Sequence, residues 1–185
     1  MERCFQSVKG KVDRIIAVDG PYMEFQHEST FSTDGCLAMA HRYADIVIEG
    51  REWEDQVTKR NSYLQSCDYI LQIDADEEWF GGIRDLKEKV YSIDLETAHE
   101  RYYIKSKAPR IIRWVDGMHY FKRHSQIIVG DTIISPHNHD KFPEYKFGKI
   151  LHRPHVRPHK RILEKGNYYR TRAENREEIL DGKYI

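Results

Sequence analysis

Short apolar runs alternate with helical patterns in the first half of the chain. Residues 15–18 form one such run, which ends in Asp19 before a Gly-Pro turn, and this predicts a buried strand. Similar runs follow within DIVIEG and DYILQID. Residues 2–9 and the segments that begin near Ser32 and Glu52 repeat apolar residues at helical spacing. Strands that alternate with helices indicate parallel βαβ units, so the pattern predicts an α/β fold with a mixed, mainly parallel, Rossmann-like sheet and flanking helices.

The second half of the chain has a different pattern. Aromatic and apolar residues alternate with polar ones over residues 99–130, which is typical of antiparallel strands. A loop with Pro136 and Pro143 follows, KILH predicts a last strand, and residues 158–180 predict a helix. Because no repeat or low-complexity linker separates the two halves, we expect a single domain over residues 1–185.

Composition narrows the possible partners and compartment. Thirty basic and thirty acidic residues cancel, so net charge gives no reason to expect a nucleic-acid partner. The three cysteines are widely spaced, which favours neither a disulfide framework nor a zinc site. No apolar run has the length of a membrane span, and no signal-peptide core is present, so we expect a cytoplasmic protein.

Four acids directly follow the third predicted strand: Asp74, Asp76, Glu77 and Glu78. In an extended segment, Asp74 and Asp76 would point to the same face about 6–7 Å apart, and they would repel unless a cation lay between them. Carboxylates suit Mg²⁺ or Mn²⁺, which in turn bind diphosphate oxygens. Ligands of such sheets bind beyond the carboxyl ends of the strands, where Asp19 is also predicted, so we expect Asp19 and Asp74 to follow neighbouring parallel strands and to open onto one cleft. A solvated acidic turn is the alternative.

The order of these motifs resembles that of family 2 glycosyltransferases with the GT-A fold. The matching motifs are Asp19, Ser32-Thr33-Asp34, Arg60-Asn61 and Asp74-Ala75-Asp76-Glu77. APRIIRWVDGMHYFKRHSQI and the segment that begins ILHRPH are similar to acceptor-side segments of that family. The resemblance implies a metal-dependent transfer from a nucleoside-diphosphate sugar to an unidentified glycan, lipid or protein. It also implies a nucleotide-sugar-binding half over about residues 1–80 and an acceptor-side half over about residues 81–185.

The resemblance assigns roles to individual residues. Asp19 would bind the nucleotide base, and Arg60 or the neighbouring Lys59 would face the phosphates or the sugar. Asp76, with Asp74 nearby, would hold Mn²⁺ or Mg²⁺ on the diphosphate. Such a cation would stabilise the charge that develops on the leaving diphosphate.

Two further roles are those of the catalytic base and of an additional metal ligand. An inverting transferase needs a carboxylate as base, and Asp116 is the nearest candidate because His124-Ser125 stands where relatives have His-Glu. The alternatives are Asp131, Asp140 and Glu144. His152 ends the last predicted strand, and enzymes of the family that the chain resembles often supply a late histidine to the metal or the diphosphate, so it is a candidate metal ligand.

The chain also departs from the family pattern. It begins just after the position of the family's first strand, and residues 21–31 replace a tight turn. An unfilled strand position would expose the backbone edge of residues 14–18, so we expect either a homodimer through that edge or coverage by the 20–32 loop. The functional alternatives are an impaired nucleotide-sugar-binding module and a sugar-phosphate nucleotidyltransferase, whose usual Gly-rich loop is absent.

Overall fold

The structure is a computed structural model that describes residues 1–23, 29–98, 103–121 and 123–153. The side chains of residues 123–125 are not among those described. The helix predicted over residues 158–180 and the side chain of His124 therefore lie outside the described residues.

The first half of the chain has the predicted alternation of helices and strands. Its elements are α1 (Glu2–Val8), β1 (Ile16–Val18), α2 (Cys36–Tyr43), β2 (Ile46–Ile48), α3 (Gln56–Asn61) and β3 (Tyr69–Leu71). The Asp55 carboxylate caps α3 by accepting a hydrogen bond from the backbone N–H of Thr58 at 2.7 Å. Each of the three strands has only three residues, so this half makes short ladders.

The second half consists mainly of longer strands. Its elements are β4 (Glu77–Gly81), β5 (Val90–Ala98), β6 (Tyr103–Arg113), β7 (His119–Phe121), β8 (Arg123–Val129), β9 (Thr132–Ile134), a 3₁₀-helix (Pro136–Lys141) and β10 (Glu144–His152). The strands predicted within residues 103–121 and 123–130 and at KILH are confirmed, although β10 already begins at Glu144, inside the segment predicted as a loop. The pattern failed to predict β4, because two of its residues are acids, and β5.

The sheet arrangement contradicts the predicted fold class. The largest sheet has the order β3-β6-β5-β10-β4, and within it only β5 and β10 pair in parallel. Strands β7, β8 and β9 form an antiparallel sheet, and β1 and β2 form a separate parallel pair. The prediction of a mainly parallel, GT-A-like sheet is therefore wrong. The long second-half strands provide most of the pairing, and they pair mainly antiparallel.

The strands that precede Asp19 and Asp74 do not pair with each other. Among the described residues, β1 is hydrogen-bonded as a strand only to β2, and β3 only to β6. The prediction that these two acids follow neighbouring strands of one sheet is therefore wrong. A homodimer through the edge of β1 stays a prediction.

Hydrophobic clusters cover both faces of the five-stranded sheet. Ile111 and Ile112 are neighbours on β6, and they belong to different clusters because successive strand residues point to opposite faces. The first cluster also contains Val8 of α1, Trp79 and Ile150. The second cluster consists mainly of buried residues of the β7–β9 sheet, with Tyr63 and Leu64 from beyond α3 packed against it.

Helix α1 covers the edge strand β4. Cys4, Phe5 and Val8 are the buried residues of the helix, and the Ser7 hydroxyl accepts a hydrogen bond from the backbone N–H of Trp79 at 2.9 Å. This contact satisfies an edge donor that would otherwise lack a partner in the sheet. No helix in the described part of the chain is long and apolar enough to cross a membrane.

Candidate functional site

The acids after β3 form a closed turn that leads directly into β4. The backbone N–H of Glu77 donates to the carbonyl of Asp74 at 2.9 Å, and the backbone N–H of Asp74 donates to the Glu77 carboxylate at 2.8 Å. Glu77 is buried as the first residue of β4. Asp74 and Asp76 therefore lie in the turn that connects β3 to β4, the two edge strands of the five-stranded sheet.

Arg110 on β6 is the counter-ion of buried Glu77. Its guanidinium Nη2 lies 2.6 Å from Glu77 Oε1, and the side chains are 12% and 3% exposed. Burial disfavours the ionised form of Glu77 and raises its pKa, although Arg110 opposes this shift. An isolated charge of either sign would be costly at this position, so the pair depends on both partners.

Asp74 is held by two arginines. Arg60 Nη2 lies 3.0 Å from one carboxylate oxygen, and Arg110 Nη2 lies 3.8 Å from the other. Burial opposes ionisation of Asp74, but Arg110 and Arg60 outweigh it and lower the pKa of the carboxyl group. Asp74 is therefore an anionic counter-ion for both guanidiniums.

Asp76 instead meets His152, a residue distant in sequence. Strands β4 and β10 pair antiparallel with His152 opposite Glu77, and His152 Nε2 lies 3.5 Å from Asp76 Oδ2. The hydrogen bond with Asp76 raises the pKa of the His152 imidazole, although partial burial opposes the shift. The backbone N–H of Arg153 donates to the Asp76 carbonyl at 2.9 Å. Two of the three predicted metal ligands, Asp76 and His152, thus face each other, whereas the third, Asp74, faces the arginines.

Arg60 belongs to a network of tyrosines. Its Nη1 lies 3.4 Å from the Tyr63 hydroxyl, which donates to the Tyr120 hydroxyl at 2.9 Å. The Tyr120 hydroxyl in turn donates to Gln72 Oε1 at 2.8 Å. Asn61 holds the backbone of β7, the strand that contains Tyr120. Its side chain accepts from the backbone N–H of Tyr120 and donates to the Tyr120 carbonyl.

Asp19 lies in a separate hydrogen-bonded corner. Its carboxylate is buried and accepts hydrogen bonds from the backbone N–H of Ser32, at 2.8 Å, and from the Ser32 hydroxyl. The Trp53 indole N–H donates to the Asp19 carbonyl at 2.8 Å. Ser32 was part of the predicted motif, and its contact with Asp19 shows that two of the motif's members meet.

The last turn of α3 connects the surroundings of Asp19 to those of Asp74. Lys59 Nζ donates to the Gly20 carbonyl at 2.6 Å, just beyond β1, while the next residue, Arg60, binds Asp74 beyond β3. The carboxyl ends of β1 and β3 therefore both face the last turn of α3, although the strands lie in different sheets.

Asp116 is not brought to these acids. It is exposed in the turn that joins β6 to β7, and the neighbouring Trp114 donates its backbone N–H to the carbonyl of Asp68 at 3.0 Å. Asp68 precedes β3, whereas Asp74 follows it, so the turn of Asp116 lies near the opposite end of β3 from Asp74. The alternative bases lie elsewhere too: Asp131 and Asp140 are exposed, and Glu144 pairs with Lys107 at 2.6 Å.

The sequence pattern did not predict three members of the site, Arg110, Tyr63 and Tyr120. Arg110 carries a usable signal, because it is a lone basic residue inside the apolar stretch APRII, and a charge in a buried strand needs a partner. The two tyrosines carry no such signal. Their contacts arise from the packing of β7 against α3.

The described residues contain no group of three or more His, Cys, Asp or Glu side chains that could hold a metal ion. A metal at Asp76 would therefore have two ligands from this part of the chain, Asp76 and His152, and both are N or O donors that suit Mn²⁺. Comparison with known protein families, with curated proteins and with solved structures gives no match for the chain.

Proposed function

We propose that the chain is a glycosyltransferase that binds a nucleoside-diphosphate sugar with the help of a divalent cation and passes the sugar to an unidentified acceptor. The observation that carries this proposal is the approach of His152 Nε2 to within 3.5 Å of the Asp76 carboxylate. The order of the sequence motifs supports the same chemistry.

Asp76 and His152 are the residues that would hold the cation. A carboxylate and an imidazole together favour Mn²⁺ over Mg²⁺, which prefers oxygen ligands. A site with only two protein ligands leaves positions for diphosphate oxygens. When bound, the cation would stabilise the negative charge of the leaving diphosphate.

Arg60 and Arg110 supply positive charge beside the Asp76–His152 pair. Both guanidiniums lie within 4 Å of Asp74, which follows β3 and precedes Asp76 by two residues. Arginine binds phosphate groups through two parallel hydrogen bonds. In this proposal Asp74 orients the arginines, and the nucleotide base lies toward Asp19, whose carboxylate is fixed by Ser32.

The place of Asp116 favours a second candidate function, nucleotide-sugar binding without transfer. The turn of Asp116 lies near Asp68, before β3, while the acids that would bind the donor follow β3. A transferase needs a base close to the acceptor hydroxyl. A binding module of this kind would need the cation and the arginines alone.

We expect the protein to act in the cytoplasm, where its cysteines Cys4, Cys36 and Cys67, which form no disulfide in the described residues, would stay reduced. Donor chemistry can be tested by thermal unfolding with uridine, guanosine and thymidine diphosphates and their sugars, with and without Mn²⁺. A ligand that binds the native state raises its unfolding temperature.

The proposal predicts stabilisation by at least one diphosphate, with a larger shift in Mn²⁺, and slow release of nucleoside diphosphate from its sugar. A Mn²⁺-dependent shift without any release would favour the binding module. No shift with any of these nucleotides would contradict both candidates.

A further inference from the structure

A relay of side-chain hydrogen bonds joins the three-stranded sheet to the acid-rich turn. Tyr120 lies on β7, and its hydroxyl accepts from Tyr63 at 2.9 Å and donates to Gln72 at 2.8 Å. Tyr63 in turn accepts from Arg60, whose other terminal nitrogen lies 3.0 Å from Asp74. Each tyrosine hydroxyl in this relay donates once and accepts once, which fixes the direction of the whole chain.

The surroundings of the two tyrosines keep this relay in one state. Burial is the main cause that raises the pKa of both phenols, so both remain protonated donors near neutral pH. The Arg60 guanidinium also lies over the Tyr120 ring at 5.6 Å from its centroid, a favourable cation–π distance. Arg60 is therefore held by an aromatic face, a hydroxyl and a carboxylate.

The backbone of β7 is held equally firmly. Asn61 accepts from the backbone N–H of Tyr120 at 2.6 Å and donates to its carbonyl at 3.3 Å. Asn61 follows Arg60 directly in sequence. Two adjacent residues of α3 therefore fix the backbone and the side chain of one residue of β7.

We propose that Tyr63 and Tyr120 are positioning residues that hold the Arg60 guanidinium on Asp74, and that this preset guanidinium receives the diphosphate. The second part rests on the proposed function, whereas the first part does not. A guanidinium that is already oriented loses less conformational freedom when a phosphate binds. Removing either hydroxyl should thus weaken diphosphate binding without removing a ligand contact.

The test compares Tyr63→Phe and Tyr120→Phe with the matched control Tyr91→Phe. Tyr91 is also buried, and its hydroxyl accepts from the backbone N–H groups of Lys87 and Glu88, far along the chain from the relay. The first measurement is the ¹⁵N NMR signature of arginine side chains, in which a held guanidinium gives separate, slowly exchanging terminal NH₂ signals. The second is calorimetric binding of uridine diphosphate with Mn²⁺.

We expect the Arg60 terminal NH₂ signals to be resolved in the native chain, averaged in Tyr63→Phe and unchanged in Tyr91→Phe. Affinity for the Mn²⁺–uridine diphosphate probe should fall about three- to tenfold in Tyr63→Phe, which is the size of one lost hydrogen bond. Tyr120→Phe leaves the Tyr63–Arg60 contact in place and should have a smaller effect on both measurements.

The two measurements separate the positioning role from the proposed function. Averaged Arg60 signals with unchanged affinity would support the positioning role and contradict diphosphate binding at Arg60. Unchanged Arg60 signals in both relay variants would overturn the inference, whatever the nucleotide does. If Tyr63→Phe fails to fold, Tyr120→Phe is decisive through the smaller averaging of the Arg60 signals expected for it, and Arg60 signals identical to those of Tyr91→Phe would overturn the inference.

Discussion

His152 Nε2 lies 3.5 Å from Asp76 Oδ2 because β4 and β10 pair antiparallel in a register that sets His152 opposite Glu77. A shift of one residue would turn His152 to the other face of the sheet. The same register places buried Ile150 opposite buried Trp79, so the hydrophobic core fixes the position of the candidate metal ligands.

Replacing Asp76 tests the candidate metal pair. Asp76→Asn keeps the shape of the side chain and removes its charge, so Mn²⁺ should no longer strengthen nucleoside-diphosphate binding. We expect the Mn²⁺-dependent affinity to fall at least about tenfold. Residues that only hydrogen-bond to a metal ligand already contribute about 10- to 100-fold to metal affinity, and a ligand itself should contribute no less. Titration calorimetry with and without Mn²⁺ measures this directly.

Glu78→Gln is the matched control for Asp76→Asn. Glu78 is the second residue of β4, two positions beyond Asp76, and its carboxylate accepts from Arg153 Nε at 2.8 Å. We expect it to keep the Mn²⁺ dependence. Equal Mn²⁺ dependence in the native chain and in Asp76→Asn would remove Asp76 from the site.

Replacing Arg110 tests the buried charge pair. Arg110→Met leaves Glu77 without its counter-ion at a position where that side chain is 3% exposed. Breaking a buried ion pair from one side costs about 3–5 kcal/mol. Urea unfolding should show a loss of that order, and a combined Arg110→Met and Glu77→Gln chain should recover part of it.

Lys107→Met on the same strand is the control for Arg110→Met. Lys107 Nζ lies 2.6 Å from Glu144 Oε2, but both side chains are 41% exposed, and pairs in contact with solvent add little stability. We expect nearly native unfolding for this control. If both variants lost a similar free energy of unfolding, burial would not explain a difference in stability between the two ion pairs.

Gly148 tests the packing beneath the site. A Cβ at this position would overlap the ring of buried Trp79, and overpacking a core typically costs about 1–3 kcal/mol. Gly148→Ala should therefore lower the free energy of unfolding by about that amount. Gly82→Ala is the control, because a Cβ there meets nothing within 4 Å; equal stability of the two variants would contradict the close packing.

The cysteines should differ in their reaction with iodoacetamide. Burial is the main cause that raises the pKa of the Cys4 thiol to about 12, and its Sγ donates to the Asp74 carbonyl at 3.4 Å. Cys67 is exposed, although partial desolvation raises its pKa as well. Since thiolates are the reactive form, mass spectrometry of the folded chain should show alkylation of Cys67 well before Cys4.

Denaturant is the control for this experiment. It should abolish the difference between the two sites, because both thiols then reach solvent. If Cys4 reacted as fast as Cys67 in the folded chain, then α1 would not be packed against β4 as the structure has it.

The sequence alone determined the local elements of the first half. Apolar runs such as IIAV and YIL, separated by segments with helical spacing, predicted β1, β3 and the helices between them, because these patterns depend on neighbours a few residues apart. The sequence also predicted a ligand-binding edge at Asp74 and Asp76, and that stays a prediction.

The tertiary structure decided how those elements pair. The alternation of helices and strands predicted a parallel sheet. The long ladders formed by β5, β6 and β10 make more hydrogen bonds than the three-residue strands do, and these ladders join residues that lie far apart in sequence. The tertiary structure also decided which partner each of the two aspartates has. Asp74 faces Arg60 and Arg110, while Asp76 faces His152, because a charge selects its partner among the groups that distant strands bring within a few ångströms.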